Sequence, residues 1–245
     1  MIAAFWGEEK SGKSTAALGF PMPIYHADFD FGFERISHRY KKELEEGLIV
    51  TKPYPIPMEV DAFVTKIGRR IAGVREKYEE FIMDYVAALQ DKKYQTVVID
   101  TATQLWEIIR QGFLQEKQEL QEPKDKLRER LMPIEYAEPN SRMRQILYAA
   151  RSFNKHLVLT HYARDEYAPR STPQGIEEMR TGNKELDGFK YTLGLADIVI
   201  RTERKSNEFY GTVTTCGLAI EMEGLIIKNP SYETIMELLK RVRGE

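Results

Sequence analysis

The chain has 245 residues, with 36 basic against 38 acidic side chains, a net charge of −2 and one cysteine. That length fits one large domain or two small ones, and the near-zero charge excludes bulk attraction to nucleic acid or anionic membranes while leaving room for a local basic face. The lone thiol, Cys216, closes no internal disulfide, so a reducing compartment, the cytoplasm, is expected. No apolar run nears the ~20 residues of a membrane span, and the opening residues have no signal-peptide layout.

Ile2 to Trp6 reads as a buried strand, followed by helix-compatible residues from Ser14 to Leu18 that Gly19 and Pro21 stop. Pro23 to Ala27 predicts a second strand running into Asp28-Phe29-Asp30, and Leu48 to Thr51 a third, closed by Pro53, Pro55 and Pro57. From about Glu59 to Gln90 apolar residues recur at three- and four-residue steps, which predicts one long helix within a helical insertion over about 58–93. Thr96 to Ile99 is a continuous apolar strand ending in Asp100, and Leu105, Ile108, Ile109 and Phe113 mark the next helix. The stretch 121–140, with Pro123, Pro133 and Pro139, reads as a flexible connection. Helical period returns from Met143 to Phe153, before the strand His156 to Thr160.

The polar segment 162–188 predicts a long flexible loop, and loops of that length in a compact domain are usually functional or disordered. Beyond it, Ala196 to Thr202 and Phe209 to Thr215 predict a hairpin about Ser206-Asn207. Leu218 to Met222 and Leu225 to Ile227 read as two short strands, and Ser231 as the N-cap of a last helix, Tyr232 to Arg243. Strand alternating with helix, then a hairpin-rich end, predicts a single α/β domain over 1–245, a mostly parallel sheet flanked by helices with an antiparallel C-terminal extension.

One motif decides the chemistry. Gly7-Glu8-Glu9-Lys10-Ser11-Gly12-Lys13-Ser14 satisfies the P-loop pattern in full, between a strand and a helix start, as the motif requires. Gly7 and Gly12 let successive N–H groups turn inward on phosphate oxygens. Lys13 is expected on the β- and γ-phosphates and the Ser14 hydroxyl on Mg²⁺, so ATP and Mg²⁺ are the expected cofactors, cradled by the run Gly7 to Thr15. Asp100, at the end of its strand, is the natural second Mg²⁺-site residue. Thr101 follows it where many ATPases carry a glutamate base, which counts against AAA+, ABC and helicase types. The base must then come from elsewhere, and the end of the second strand offers Asp30 first, Asp28 second, with Glu34 nearby. His26 and His38 have no ligand spacing with each other or with Cys216, so no zinc site is expected.

On Gly7–Thr15, Ile24–Gly32, Thr96–Thr103, Leu157–Ala163 and Ala196–Arg201, the chain resembles the RecA-like P-loop ATPases, and among them the compact phage proteins of single-strand annealing and recombination. That resemblance implies a RecA-like fold, a carboxylate base matching Asp30 or Asp28, and a γ-phosphate sensor at Thr160 or His161. It also implies a single-stranded DNA contact in the 162–188 segment, with Tyr162, Tyr167 and Phe189 available to stack. Further implications are self-association into a filament or ring, with Arg201, Arg204 and Lys205 reaching the neighbour's ATP site, and a possible single-strand-binding protein as partner. Tyr40 is a candidate stacking surface for the adenine.

Charge tempers the DNA reading. Segment 162–188 carries four basic residues against six acidic ones, a poor electrostatic funnel. The stretch from Lys124 to Arg144 is more basic and forms a second candidate surface. The leading expectation is an ATP- and Mg²⁺-dependent ATPase that binds single-stranded DNA and supports phage-type recombination. The alternatives are a small-molecule or nucleotide kinase and a nucleotide-gated scaffold with negligible turnover.

Overall fold

The computed structural model describes residues 1–57, 70–121, 127–172 and 175–245. Among them nine strands join one sheet, with the order β3-β2-β4-β5-β1-β7-β8-β9 and β6 paired to β5. These are β1 (Ile2–Gly7), β2 (Ile24–Asp28), β3 (Ile49–Pro53), β4 (Thr96–Asp100), β5 (His156–Thr172), β6 (Gly175–Leu186), β7 (Ile198–Lys205), β8 (Glu208–Cys216) and β9 (Ile226–Lys228). From β3 to β7 neighbours run parallel, while β8 and β9 add antiparallel. The expected α/β fold, a mostly parallel sheet flanked by helices with an antiparallel C-terminal extension, is what forms.

Parallel strands need helical crossovers, and helices on both faces bury every residue of the central strands. All of β1, β2 and β4 is buried. Strand alternation divides the core: Ile2, Ala4 and Trp6 pack with Val97, Ile99, Leu105 and Ile108 on one face, and Ala3 and Phe5 with Leu18, Ile198 and Ile235 on the other. The first face is covered by α3 (Val74–Gln90), α4 (Ala102–Glu119) and α5 (Ala137–Ser152), and the second by α1 (Lys13–Leu18) and α7 (Tyr232–Arg243). Two short helices, α2 (Lys41–Glu45) and α6 (Thr192–Leu195), complete the set among the described residues. None of these helices is long and apolar enough to cross a membrane.

Three sequence expectations need correction. The long helix begins only at Val74, because Gly73 takes φ +77 at its N-cap, a conformation that breaks helical continuity and suits glycine; the expected portion from 59 to 69 lies outside the described residues. Segment 162–188 is an antiparallel hairpin rather than a loop: β5 runs on past the sheet edge and pairs with β6 from Ala163–Leu186 to Thr172–Gly175. Buried Leu186 and Phe189 anchor its return into the first core, which polar composition alone conceals. Finally, Leu218 to Met222 is no strand but contains a 3₁₀ turn, Ile220–Met222, while the other expected short strand forms as β9 and pairs with β8. In the 121–140 stretch, Pro133–Tyr136 is a 3₁₀ turn leading straight into α5, with Pro139 in its first turn, where a missing N–H costs nothing. Residues 122–126, Lys124 and Lys126 included, lie outside the described residues.

The β7–β8 hairpin turns at Ser206, φ +58, as the sequence indicates. Ser231 caps α7 in a reciprocal box, accepting from the Thr234 N–H at 3.3 Å while the Thr234 hydroxyl accepts from the Ser231 N–H at 2.8 Å. Ser231→Ala is expected to lower stability by about 1 kcal/mol, read from urea unfolding midpoints, with nucleotide affinity unchanged.

Candidate functional site

In a parallel sheet the loops that follow the strands all open at one edge, and here β1, β2, β4 and β5 deliver the singled-out residues to the same edge. They surround a cavity of about 490 Å³ lined by Glu9, Lys10, Ser11, Gly12, Lys13, Ser14, Thr15, Asp30, Asp100 and Thr101.

The loop after β1 is held in place by its neighbour β7. A Cβ on Gly7 would sit 2.3 Å from the Thr202 carbonyl oxygen, so only glycine permits this approach. The Ser11 and Thr202 hydroxyls lie 2.7 Å apart, in hydrogen-bond contact. Gly12, φ +94, turns the chain into α1 with the Phe209 ring pressed against it. Lys13 is buried and donates to the Gly7 and Glu8 carbonyls at 3.0 and 2.7 Å. Burial pulls its ammonium below the ordinary lysine range, opposed by Asp100, Asp30, Glu8 and Glu9. Gly7 and Glu8 border a second, smaller cavity of about 280 Å³ on the hairpin side.

Asp100 is 1 % exposed. Burial works against its charge, but the His26 imidazole, with Ser14 and Thr160 adding their hydroxyls, holds the carboxyl below the usual range. Thr160 donates to Oδ1. The His26 Nε2 stands 3.6 Å from Oδ2, beyond hydrogen-bond reach, and Oδ2 has no hydrogen-bond partner. A charged, inward-facing carboxylate with a free oxygen beside the Ser14 hydroxyl fits a hard divalent cation, so Ser14 and Asp100 would hold Mg²⁺. Thr101 serves α4 instead of catalysis: its side chain accepts the Gln104 N–H at 3.2 Å as the N-cap.

The two candidate bases separate. Asp28 is buried and accepts from the Gly32 and Phe33 N–H groups at 3.1 and 3.2 Å. Burial raises its pKa, with Asp100 adding to the rise and His26 opposing it, and it does not line the cavity. Asp30 does, with Oδ1 taking the Gly32 N–H at 2.8 Å and Oδ2 the Tyr162 hydroxyl. The two sensor candidates part as well. Thr160 touches Asp100, whereas His161, fully buried, turns its Nδ1 to the Asp187 carbonyl at 3.0 Å at the hairpin base, away from the cavity.

Tyr40 lies outside the cavity lining, stacked on Phe33. Arg204 lines its own chain's cavity, its guanidinium 6.0 Å from the Phe209 ring centre. Arg201 lies over Trp6, and Lys205 pairs with Glu203 at 2.6 Å. Sequence reasoning missed Arg35, Ile36, Arg39 and Phe209 in the lining; they carry no motif. It also placed Tyr162 in the hairpin's stacking surface, whereas Tyr162 lines the cavity with the Lys13 Nζ 5.6 Å from its ring centre.

A family model described as an AAA domain matches residues 1–229. The expectation that Thr101 counts against AAA-type proteins falls with that match. No curated protein matches the chain. Among solved structures, a KaiC-like protein from the hyperthermophilic archaeon Pyrococcus horikoshii OT3 aligns at 11% identity and a TM-score of 0.48, over 94% of this chain and 87% of that one.

Burial pushes the His161 imidazole down to about 4 from 6.5, so the folded chain takes up that proton later than the unfolded one. Stability is expected to fall as pH drops from 6.5 towards 4, with His161 contributing about 3 kcal/mol of the loss. Urea unfolding of the wild type and His161→Gln across that range checks this, the variant lacking that part of the slope.

Proposed function

Because this chain belongs to the AAA domain family, matched over residues 1–229, and carries a P-loop ATPase fold, we propose that it hydrolyses ATP with Mg²⁺ in a reaction coupled to single-stranded DNA, in phage-type recombination or strand annealing. The convergence of Lys13, Ser14, Asp30 and Asp100 on one cavity carries the reading. Lys13 and the loop N–H groups bind the phosphates, and Asp30 orients the attacking water and accepts its proton. Bound Mg²⁺ supplies charge neutralisation at the β- and γ-phosphates. Thr160 fixes the Asp100 rotamer, and Tyr162 fixes that of Asp30.

DNA is assigned to the β5–β6 hairpin, which is continuous with the strand bearing Thr160 and Tyr162. Three of its basic residues are already ion-paired, Arg164 with Glu185, Arg180 with Asp165 and Lys184 with Glu8 and Asp165. Stacking on Tyr167, which is 56% exposed, rather than phosphate charge then carries the contact, and the salt dependence of binding is shallow. In the second candidate surface Arg128 and Arg142 are likewise paired, with Glu135 and Glu116. Arg201 and Lys205 remain the residues through which a neighbouring subunit in a filament or ring would reach the next site.

ATP turnover at fixed salt, measured without DNA, with single strands and with duplex, is expected to rise selectively with single strands and to vanish in Lys13→Ala. Asp30→Asn lowers kcat by about 10²-fold or more, Asp28→Asn by less. Tyr167→Ala weakens single-strand binding about tenfold. Turnover indifferent to DNA overturns the recombination reading. Phosphoryl transfer to a small acceptor then indicates a kinase, and binding without turnover a nucleotide-gated scaffold.

A further inference from the structure

Seven arginines of this chain are committed to ion pairs. Arg75, Arg110, Arg128, Arg142, Arg151, Arg164 and Arg180 each bind a carboxylate. Arg35 and Arg39 differ: both line the main cavity, and among the described residues neither guanidinium makes a hydrogen bond or ion pair; of the two, it is Arg35 that reaches the surroundings of Asp30.

Its position is set by the turn after β2. The Asp28 carboxylate takes the Gly32 and Phe33 N–H groups, buried Phe33 anchors the 3₁₀ turn Phe33–Arg35 in the second core, and Arg35 is left facing the cavity. A point one Cβ bond from Gly32 lies 2.6 Å from Asp30 Oδ1 and 3.4 Å from an Arg35 guanidinium nitrogen. The guanidinium therefore stands beside the carboxylate assigned to the attacking water. Charge around the cavity agrees: Lys10, Lys13, Arg35, Arg39 and Arg204 face Glu9, Asp30 and Asp100, an excess of positive charge suited to a polyphosphate that Mg²⁺ only partly neutralises.

We propose that Arg35 is a catalytic residue that contacts the terminal phosphate of ATP held in its own chain's P-loop. This rests on the ATPase reading above. In the step it serves, the water oxygen bonds to the γ-phosphorus and gives its proton to Asp30. The bond from the γ-phosphorus to the bridging oxygen breaks, and that electron pair leaves with ADP. Negative charge on the transferring phosphoryl oxygens is met by the Arg35 fork, supplied in cis.

The test is Arg35→Ala and Arg35→Lys, with binding of ADP and of a non-hydrolysable ATP analogue measured by calorimetry, and turnover measured over a range of protein concentrations. Arg35→Ala is expected to weaken the analogue about tenfold or more and ADP less than about twofold, and to lower kcat about 10²-fold or more. The lost factor is the same at every protein concentration, because the residue acts within its own chain. Arg35→Lys restores analogue binding in part and kcat little, a point charge replacing a fork. Equal weakening of ADP and analogue, a kcat within about threefold of wild type, or a loss that depends on protein concentration overturns the assignment. If the wild type binds neither nucleotide, the ATPase reading itself fails and takes Arg35 with it. If both bind and only the Arg35 variants behave normally, the reading stands and Arg35 alone is wrong.

Discussion

The site is organised around a carboxylate kept charged where water does not reach. Moving an ionised acid into a protein interior costs several kcal/mol unless fixed dipoles and opposite charges replace its hydration. Asp100 sits at the inner end of β4 with 1 % exposure, and its surroundings are arranged as that replacement: the Thr160 hydroxyl on Oδ1, His26 opposite Oδ2, Ser14 and the Lys13 ammonium on the cavity side. The replacement is incomplete, since Oδ2 keeps no hydrogen-bond partner. A buried polar atom left unsatisfied is normally a defect; on a carboxylate that shares a cavity lining with the P-loop serine Ser14, it leaves a place for a cation.

That demand accounts for the strand order. Thr160 reaches Asp100 because β5 lies directly between β1 and β4, pairing with both. His26 reaches it from the other flank because β2 pairs with β4 in a register that sets Val98 against His26 and Asp100 against Asp28. His26 is in turn oriented by Thr51 of β3, 2.9 Å from its Nδ1. Three neighbouring strands thus act on one carboxylate, and parallel pairing holds their carboxyl ends level enough to do so.

Sequence alone disclosed the parts that local chemistry enforces. A P-loop spells out its own function because only glycine tolerates the approach of Thr202 to Gly7 and the φ +94 of Gly12, and apolar runs such as Thr96 to Ile99 report burial on both faces of a sheet. What stayed hidden depends on partners far along the chain. Nothing local marks His26 as a neighbour of Asp100, 74 positions away, or Tyr162 as the donor to Asp30, separated by 132 residues. The hairpin was illegible because its polar strands pair with each other through Arg164–Glu185 and Arg180–Asp165 rather than through an alternating apolar face. Similar compositions mark loops. Gly73 showed the opposite failure: apolar periodicity continued across a residue whose positive φ sets the helix start at Val74.

The hairpin is joined to the site at two points. Lys184 on β6 pairs at 3.0 Å with Glu8, inside the P-loop, and Tyr162 at the root of β5 holds Asp30. A ligand that settles on the hairpin can alter hydrolysis only by binding better to one arrangement of those contacts than to another. The Lys184–Glu8 pair, its side chains 32% and 63% exposed, is weak and screened by salt, so it can be exchanged for a contact to a ligand at small cost. The Tyr162–Asp30 bond is more enclosed, and losing it changes what the carboxylate can do to water. The exposed contact therefore suits release, and the enclosed one suits holding the Asp30 carboxylate in place.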